Sequence, residues 1–561
     1  MSAHRHVGWL ALVPPATLLV FLFPIGAGLL FTLLPAFGYL PALGSNGFSL
    51  APWRMLFESP ELAPALRLTL GTGFAATLLS TGLAFGIVAA GEGRAWFASA
   101  RRWLAPLLAL PHVAIAIGFA FLIAPSGWIA RLVAPLAGWA LPPDLAIQPD
   151  RYGIGLVLGL VLKETPYLLL MILAAEPPLR PALVVGRSLG YGPFMAWTKL
   201  VLPRLYPLVR LPVLAVLAFS LSVVDVAMVL APNLPPPFAV LLLRWFNDPD
   251  LALRFQASAG AVLQLLLVAG AIGSWRAGER LLAMGFRSWL AAGRRGRRGA
   301  VAERLFEAAL LVLLLVSAAA ILAMALWSVA TSWRYPDRIP SGFSLEHWRN
   351  GLASLGRPLL TTLLVGLAAA AVAGLLAIGC LEQEDRSGRP AGARALWLLY
   401  LPLLMPQVSF LFGLQLLFLR VGLAGDWLGL VWCHLVFVLP YLFLSLADPY
   451  RALDRRYRRA ALCLGASRAR VLLRVVLPML APAIASAVAV GFAVSVGLYL
   501  PTVFVGAGRL TSLTTEAVGL AAGADRRVIG VAVMLQAALP LVAFAAALGW
   551  SRRRTDRLDR R

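Results

Sequence analysis

Charged side chains are scarce in this sequence. Aspartate, glutamate, lysine and arginine together make up 13% of the 561 residues, whereas hydrophobic residues make up 60%. The mean hydropathy of +0.83 is far from that of a soluble globular domain. No single soluble core can hide so many uncharged segments, and the composition therefore indicates a polytopic membrane protein.

Cysteine, histidine and lysine are also rare. The three cysteines, Cys380, Cys433 and Cys463, are scattered, so neither a disulfide framework nor a Cys/His metal site is predicted. Neither of the lysines, Lys163 and Lys199, follows a glycine, which excludes the Gly-x-x-x-x-Gly-Lys-Ser/Thr phosphate loop. We therefore expect no cofactor, no metal and no ATP hydrolysis by this chain itself.

Apolar runs long enough to cross about 30 Å of hydrocarbon recur along the whole sequence. The first half gives spans near 9–34, 62–90, 103–124, 153–175, 208–231 and 255–275. The second half gives spans near 305–329, 357–381, 395–420, 427–447, 482–500 and 527–549. The prediction is an all-α membrane protein with about twelve spans. The first run is longer than a cleavable signal region, and the short run Trp128–Leu141 is interpreted as re-entrant or interfacial.

The net charge of +24 is distributed over alternate loops and does not mark one face. Arginine is dense at 276–304, 451–474 and 552–561. Basic loops stay on the cytoplasmic side of a membrane, so both termini and the centre of the chain are predicted to be cytoplasmic in a bacterial inner membrane. This distribution argues against nucleic-acid binding and favours contact with membrane lipid.

The sequence contains a long duplication. The pattern Phe-Ser-Leu-x-x-Trp-Arg occurs at 48–54 and 343–349, and Leu/Met-Pro-x-Val occurs at 110–113 and 405–408. We predict two six-span repeats (1–275 and 305–550), a flexible basic linker (276–304) and a basic tail (551–561). Because each repeat has an even number of spans and starts on the same side, the repeats are related by an axis along the membrane normal.

Each repeat also has a long basic loop, at 176–206 and at 448–481. A glycine in each loop is followed by nine residues and then by Leu-Val-Leu-Pro or Val-Val-Leu-Pro. Glycine permits a left-handed turn between two short helices, and the proline is expected to stop the second helix before the next span. Such a knob predicts a docking surface for a partner protein. The residues concerned are Gly190, Leu202 and Pro203 in the first loop and Gly465, Leu477 and Pro478 in the second.

This pattern resembles the EAA loop in permease subunits of type I ATP-binding-cassette importers: Glu-Ala-Ala, three residues, Gly, nine residues, Ile-x-Leu-Pro. Two loops in one chain resemble the fused permeases of thiamine and ferric-iron uptake. The resemblance covers both halves and implies the corresponding importer fold. It also implies docking of two copies of a cytoplasmic ATPase and delivery of solute by an extracytoplasmic solute-binding protein. A thiamine-like solute and ferric iron both remain open.

The loops depart from that pattern at its glutamate, which is Val184 in the first repeat and Arg459 in the second. The alanine pair is kept as Ala460-Ala461 in the second loop. In the first loop the same positions are Val185-Gly186. The resemblance assigns ATPase contact to these positions, and Arg459 would prefer an acidic residue there.

Few ionisable residues lie inside the predicted spans, where a charge facing lipid costs about 2.5–3.5 kcal/mol. They are Lys163, Glu164 and Asp225. Neighbours on a helix point about 100° apart, so Lys163 and Glu164 cannot face one spot, and one of them is expected to pair with Asp225. The three residues are interpreted as lining the solute path or, equally, as a structural ion pair. They also permit an alternative class, an ion-coupled secondary transporter.

Overall fold

The computed structural model describes residues 9–144, 150–176, 179–293, 295, 300–389 and 392–559. Within these ranges the regular structure is helical, and β structure is limited to two isolated bridges. The predicted all-α fold class is confirmed.

The helices alternate between long membrane-scale elements and short connecting ones. The first half contains α1 (Val13–Ala36), α2 (Ala51–Glu58), α3 (Leu62–Gly91), α4 (Ala95–Ala109), α5 (His112–Ile123), α6 (Trp128–Ala137), α7 (Ile154–Ala175), α8 (Pro181–Ser188), α9 (Pro193–Ala196), α10 (Leu202–Ser222), α11 (Asp225–Leu230), α12 (Phe238–Phe246) and α13 (Leu253–Ala291). The second half contains α14 (Ala300–Val329), α15 (Glu346–Ser387), α16 (Ala393–Leu399), α17 (Leu401–Leu404), α18 (Val408–Arg420), α19 (Trp427–Ala452), α20 (Arg455–Cys463), α21 (Arg468–Val471), α22 (Leu477–Gly497), α23 (Leu500–Gly506), α24 (Leu513–Ala521) and α25 (Arg526–Asp559).

The described chain has 11 helical stretches long and apolar enough to cross a membrane, one fewer than predicted. The predicted span 395–420 is wrong as a continuous helix, because the chain breaks at Met405–Gln407 and α18 has only 13 residues. Pro406 lies in that break, where its missing N–H and its ring prevent the helix from continuing.

The predicted span 103–124 is wrong for the same reason. Helix α4 ends at Ala109, and α5 begins at His112, after Pro111. The apolar stretch long enough to cross there is His112–Ala137, which joins α5 to the short helix α6.

Two further predicted spans are interrupted at equivalent places. Within 208–231, α10 ends at Ser222 and α11 starts at Asp225. Within 482–500, α22 ends at Gly497 and α23 starts at Leu500. Irregular backbone at membrane depth is tolerated only where it is buried in protein or lines a water-filled cavity, because its polar groups need hydrogen-bond partners. The breaks are therefore expected to surround such a cavity.

The predicted linker is more ordered than expected. Helix α13 continues past residue 275 to Ala291, which contradicts a flexible joint over that stretch. Arginine 294 and residues 296–299 lie outside the described residues, and α14 begins at Ala300. At the other end, α25 continues through the predicted tail to Asp559.

The first helix of each half packs against the other half. Helix α1 lies along α18, and α14 lies along α5. These contacts are close because the pair of equivalent glycines, Gly118 and Gly413, lacks side chains. A Cβ atom at Gly118 would lie 2.6 Å from the carbonyl oxygen of Ala320, and one at Gly413 would overlap the carbonyl oxygen of Gly28. Because the first helix of each half lies against the other half, the two halves are joined into one unit. The joint is formed by the small-residue packing that is typical of membrane helices.

Candidate functional site: paired loops and a central cavity

The loops at 176–206 and 448–481 have the same backbone design. In the first, α8 and α9 flank Gly190; in the second, α20 and α21 flank Gly465. Both glycines have φ of +81°, a left-handed conformation that glycine adopts without steric cost. The turn that the sequence predicts is therefore present in both repeats.

The expectation that proline stops the helix after each turn is wrong. Helix α9 passes through a π turn at Trp197–Val201 into α10, and α21 passes through a π turn at Leu472–Val476 into α22. Pro203 and Pro478 are the second residues of α10 and α22. Each proline therefore lies within a continuous helical stretch, directly after a π turn whose wider hydrogen-bond spacing accommodates it, and each loop runs directly into a membrane helix.

The first loop is anchored by Trp197, which is fully buried. Its Nε1 donates a hydrogen bond of 2.7 Å to Oε1 of Glu176. Burial raises the pKa of the Glu176 carboxyl, because desolvation disfavours its charged form. The Arg180 guanidinium lies 3.8 Å from the same carboxylate.

The second loop is anchored by Glu382 near the end of α15. Its carboxylate accepts hydrogen bonds from Arg386 at 2.6 Å, Tyr450 Oη at 2.6 Å and Arg458 at 2.8 Å. Arg458 also lies 3.1 Å from Asp385. Charge-assisted bonds to a nearly buried carboxylate hold the start of α20 in place. The sequence signal for this anchor is the acidic run Glu382–Asp385 facing the arginines of α20.

The exposed surfaces of the two loops differ. Val184 and Val185 are exposed in the first loop. In the second loop Arg459, Ala460 and Gly465 are exposed. The exposed surface of the first loop is thus more apolar than that of the second, which is basic. The Leu-Pro pairs (Leu202-Pro203 and Leu477-Pro478) are half-buried where each loop meets its span.

The first loop has an additional contact that the second lacks in the described part of the chain. Lys199 Nζ donates to the carbonyl of Trp289, at 3.2 Å, and lies 4.6 Å from the centre of that indole ring. The N–H of Gly192 donates to the carbonyl of Arg295 at 3.4 Å. The extension of α13 therefore lies against the loop of its own repeat.

A cavity of about 540 Å³ lies between the two halves. It is bordered by the four helix breaks, which are paired by the duplication. The bordering residues are Leu110, Pro111 and His112 with Met405 and Gln407, and Ser222, Val223, Val224 and Asp225 with Gly497, Leu498, Tyr499 and Leu500. Discontinuous helices around a midplane cavity are typical of solute sites in transporters.

The three charged residues predicted inside the spans, Lys163, Glu164 and Asp225, do not all face the same space in the structure. Glu164 and Asp225 line the cavity, and His112 Nε2 lies 3.3 Å from Glu164 Oε1. Lys163 instead donates to the carbonyls of Leu107, Leu108 and Leu110, at 3.0, 2.9 and 2.5 Å. Lys163 thus caps the end of α4, and among the described residues neither Lys163 nor Glu164 forms an ion pair with Asp225.

Both cavity carboxylates come from the first half. In the second half Phe437 and Leu500, which match Lys163 and Asp225 in the duplication, line the wall. Tyr167, Tyr441 and Tyr499 also line the cavity, and sequence reasoning missed them as site residues. The duplicated Pro-Tyr pairs at 166–167 and 440–441 are the signal that identifies two of these tyrosines.

The fold and the paired loops define a membrane permease built from two repeats. Residues 378–558 match the family of binding-protein-dependent transport system inner membrane components. The chain is also similar to the inner membrane ABC transporter permease protein YnjC of Escherichia coli strain K12. The two are 32% identical over 506 residues, which is 89% of this chain and 90% of that protein. The chain belongs to the ABC transporter permeases of binding-protein-dependent transport systems.

Proposed function

We propose that this chain forms the solute path of an importer and couples it to separate ATPase subunits. Two copies of a cytoplasmic ATPase would dock on the loops around Gly190 and Gly465. An extracytoplasmic solute-binding protein would deliver solute to the opposite face, with both chain termini in the cytoplasm. Family membership favours this function over the ion-coupled secondary transporter that the sequence alone leaves open.

The observation that carries the proposal is the continuity between loop and cavity. Each loop enters a 30-residue helical stretch, Pro193–Ser222 or Arg468–Gly497, which spans about 45 Å at 1.5 Å per residue. Each stretch ends at a break that lines the cavity, at Val223–Val224 or Leu498–Tyr499. When a closing pair of ATPases displaces a loop, the attached helical stretch therefore moves the cavity wall.

The residues that stand in place of the family's glutamate determine which side chains the ATPase needs at each loop. Val184 offers an apolar contact, and Arg459 offers a positive charge. A basic docking surface favours a partner that has acidic residues at the contact. We expect the ATPase that binds this chain to present an acidic residue to Arg459 and an apolar one to Val184.

The cavity wall favours an organic cation as solute. Its two carboxylates attract positive charge, whereas tyrosine and phenylalanine side chains favour a cationic or aromatic body through their ring faces. A thiamine-like compound combines these properties. Ferric iron, the other solute implied by the family resemblance, is less favoured, because among the described residues no three His, Cys, Asp or Glu side chains lie close enough together to hold a metal ion.

The test reconstitutes the chain in proteoliposomes with its co-encoded ATPase and binding protein. ATP hydrolysis is recorded with the binding protein loaded from a panel of thiamine, ferric iron, sulfate and polyamines. Stimulation by a loaded binding protein supports the importer function and names its solute. An ATPase that never associates with the chain contradicts the docking role of the loops, and stimulation by sulfate alone contradicts the cationic solute.

A further inference from the structure

A second cavity, of about 460 Å³, lies on the face of the molecule opposite the two loops. Residues of both halves meet there. Arg131, on α6, comes from the first half, whereas Trp327, Trp333, Tyr335 and Arg526 come from the second. The function proposed above does not use this cavity.

Arg131 is a buried cation that forms no ion pair in the described part of the chain. Its side chain is 3% exposed. Its guanidinium donates to the carbonyls of Ser126 at 3.0 Å, Arg334 at 2.6 Å, Trp333 at 3.3 Å and Asp337 at 3.0 Å. These bonds use four of the five N–H groups of the guanidinium and leave one to donate to a ligand. Asp337 offsets part of the positive charge electrostatically, but the carbonyls themselves are dipoles and not anions.

Arg526, the first residue of α25, is the second cation of the cavity without an ion pair among the described residues. Its Nη2 donates to Ser126 Oγ at 2.7 Å, and its guanidinium lies 5.0 Å from the ring centre of Phe121 and 5.5 Å from that of Trp327. Among the described residues no carboxylate forms an ion pair with Arg131 or Arg526. Asp525 and Arg527 also line the cavity, but they are paired with each other at 2.5 Å and their charges offset each other.

Two partly desolvated guanidinium groups around one cavity create a positive potential that favours an anion. Arginine binds phosphate well because its N–H groups match the oxygen geometry. The cavity also has room for a headgroup-sized molecule. The local charge therefore selects a phosphate-type ligand.

The surroundings point to a lipid as the source of that phosphate. Helix α6 exposes Ile129, Leu132 and Leu136, the last of these 88% exposed. Trp128 and Trp333 pack edge to face beside the cavity. Exposed apolar helix next to a cluster of tryptophans is typical of the membrane–water interface, where acyl chains lie against the helix while the phosphate reaches the arginines.

We propose that this cavity binds the headgroup phosphate of an anionic phospholipid between Arg131 and Arg526. The ligand joins the halves, since Arg131 holds the loop before α15 and Arg526 holds the turn before α6. Occupancy stabilises this closed arrangement of the face opposite the loops. Opening of that face then requires the lipid phosphate to leave at least one of the two arginines.

The matched pair of variants is Arg526→Gln and Arg349→Gln. They remove the same charge, but Arg349 is exposed near the start of α15 and is not among the residues that line the cavity. Arg131 is unsuitable because its loss would orphan four carbonyls. The purified full-length chain is delipidated and then titrated with phosphatidylglycerol, with phosphatidylcholine or with inorganic phosphate alone. Native mass spectrometry counts the retained lipid, and the melting temperature reports stability.

Phosphatidylglycerol is expected to be retained by the wild-type chain and by Arg349→Gln, and to raise the melting temperature of both. Arg526→Gln should bind it about tenfold more weakly, because a hydrogen bond to a charged group is lost. Its melting temperature in phosphatidylcholine checks that it folds. Equal retention by the two variants overturns the site. Stabilisation by inorganic phosphate without retained phosphatidylglycerol overturns the lipid assignment.

Discussion

Two adjacent residues, Lys163 and Glu164, have different roles. The 100° offset between helical neighbours predicts that both cannot face one point, and the structure agrees. Sequence reasoning did not identify which one faces the cavity. The orientation depends on where α4 ends, because the free carbonyls of Leu107–Leu110 attract the ammonium group. Helix ends of this kind are fixed by tertiary packing as well as by local sequence.

Replacement of Lys163 by methionine should lower the melting temperature of the purified chain. Methionine has a similar length but leaves the carbonyls at the end of α4 without a donor, and an orphaned buried polar group costs about 1–3 kcal/mol. Differential scanning fluorimetry in detergent measures the change. An unchanged melting temperature would show that Lys163 does not stabilise this helix end.

Replacement of Glu164 by glutamine, or of Asp225 by asparagine, should affect transport and leave stability nearly unchanged. Removal of a cavity carboxylate should raise the apparent KM for a cationic solute about tenfold, which corresponds to about 1.4 kcal/mol. Uptake into proteoliposomes measures this, with the exposed Glu58→Gln as control. Wild-type kinetics in both cavity variants would exclude the carboxylates from solute recognition.

At the scale of single elements, the glycine turn in each loop follows from sequence, but the π turn after it does not. A π turn depends on how the helix accommodates proline under tertiary contacts, such as that of the buried Trp197 with Glu176. The sequence pattern did predict two short helices around each glycine, whereas docking on these loops stays a prediction. It did not reveal that Glu382 anchors the second loop, because residues 382 and 458 are distant in sequence.

Replacement of Glu382 by glutamine should weaken the coupling between the second loop and ATP hydrolysis. The neutral amide loses charge-assisted bonds from Arg386 and Arg458, so α20 should lose its fixed position and solute-stimulated ATP hydrolysis should fall several-fold. Glu384→Gln is the matched control, because its partner Arg451 is 36% exposed and exposed pairs contribute little. Equal loss in the two variants would contradict a special role for Glu382.

Replacement of Gly413 by leucine should disrupt packing between α1 and α18. A side chain at this position overlaps the backbone of Gly28, which cannot move away without shifting the whole helix. Gly82→Leu is the control, since a Cβ atom there meets nothing within 4 Å. The yield of monodisperse protein by size-exclusion chromatography should fall for Gly413→Leu only. Similar yields for both variants would contradict close contact of the two helices.

At the scale of the whole molecule, the duplication predicted two related halves but not the exchange of their first helices. Repeats show which residues are equivalent, whereas the partner of a uniformly apolar helix such as α1 is invisible in its sequence. The same limit explains the span count. Apolar runs such as 395–420 are read as continuous, although the proline breaks within them shape the central cavity.

The most direct test of the central claim uses a cysteine that the chain already has. Cys463 is exposed at the end of α20, beside Gly465, whereas Cys380 and Cys433 are buried. A membrane-impermeant maleimide is applied to inside-out and right-side-out vesicles, with and without the ATPase, and Cys463→Ser serves as control. The account predicts that Cys463 is labelled only in inside-out vesicles and that bound ATPase protects it. Labelling from the outer side, or full labelling in the presence of bound ATPase, would contradict the claim that this loop docks the ATPase.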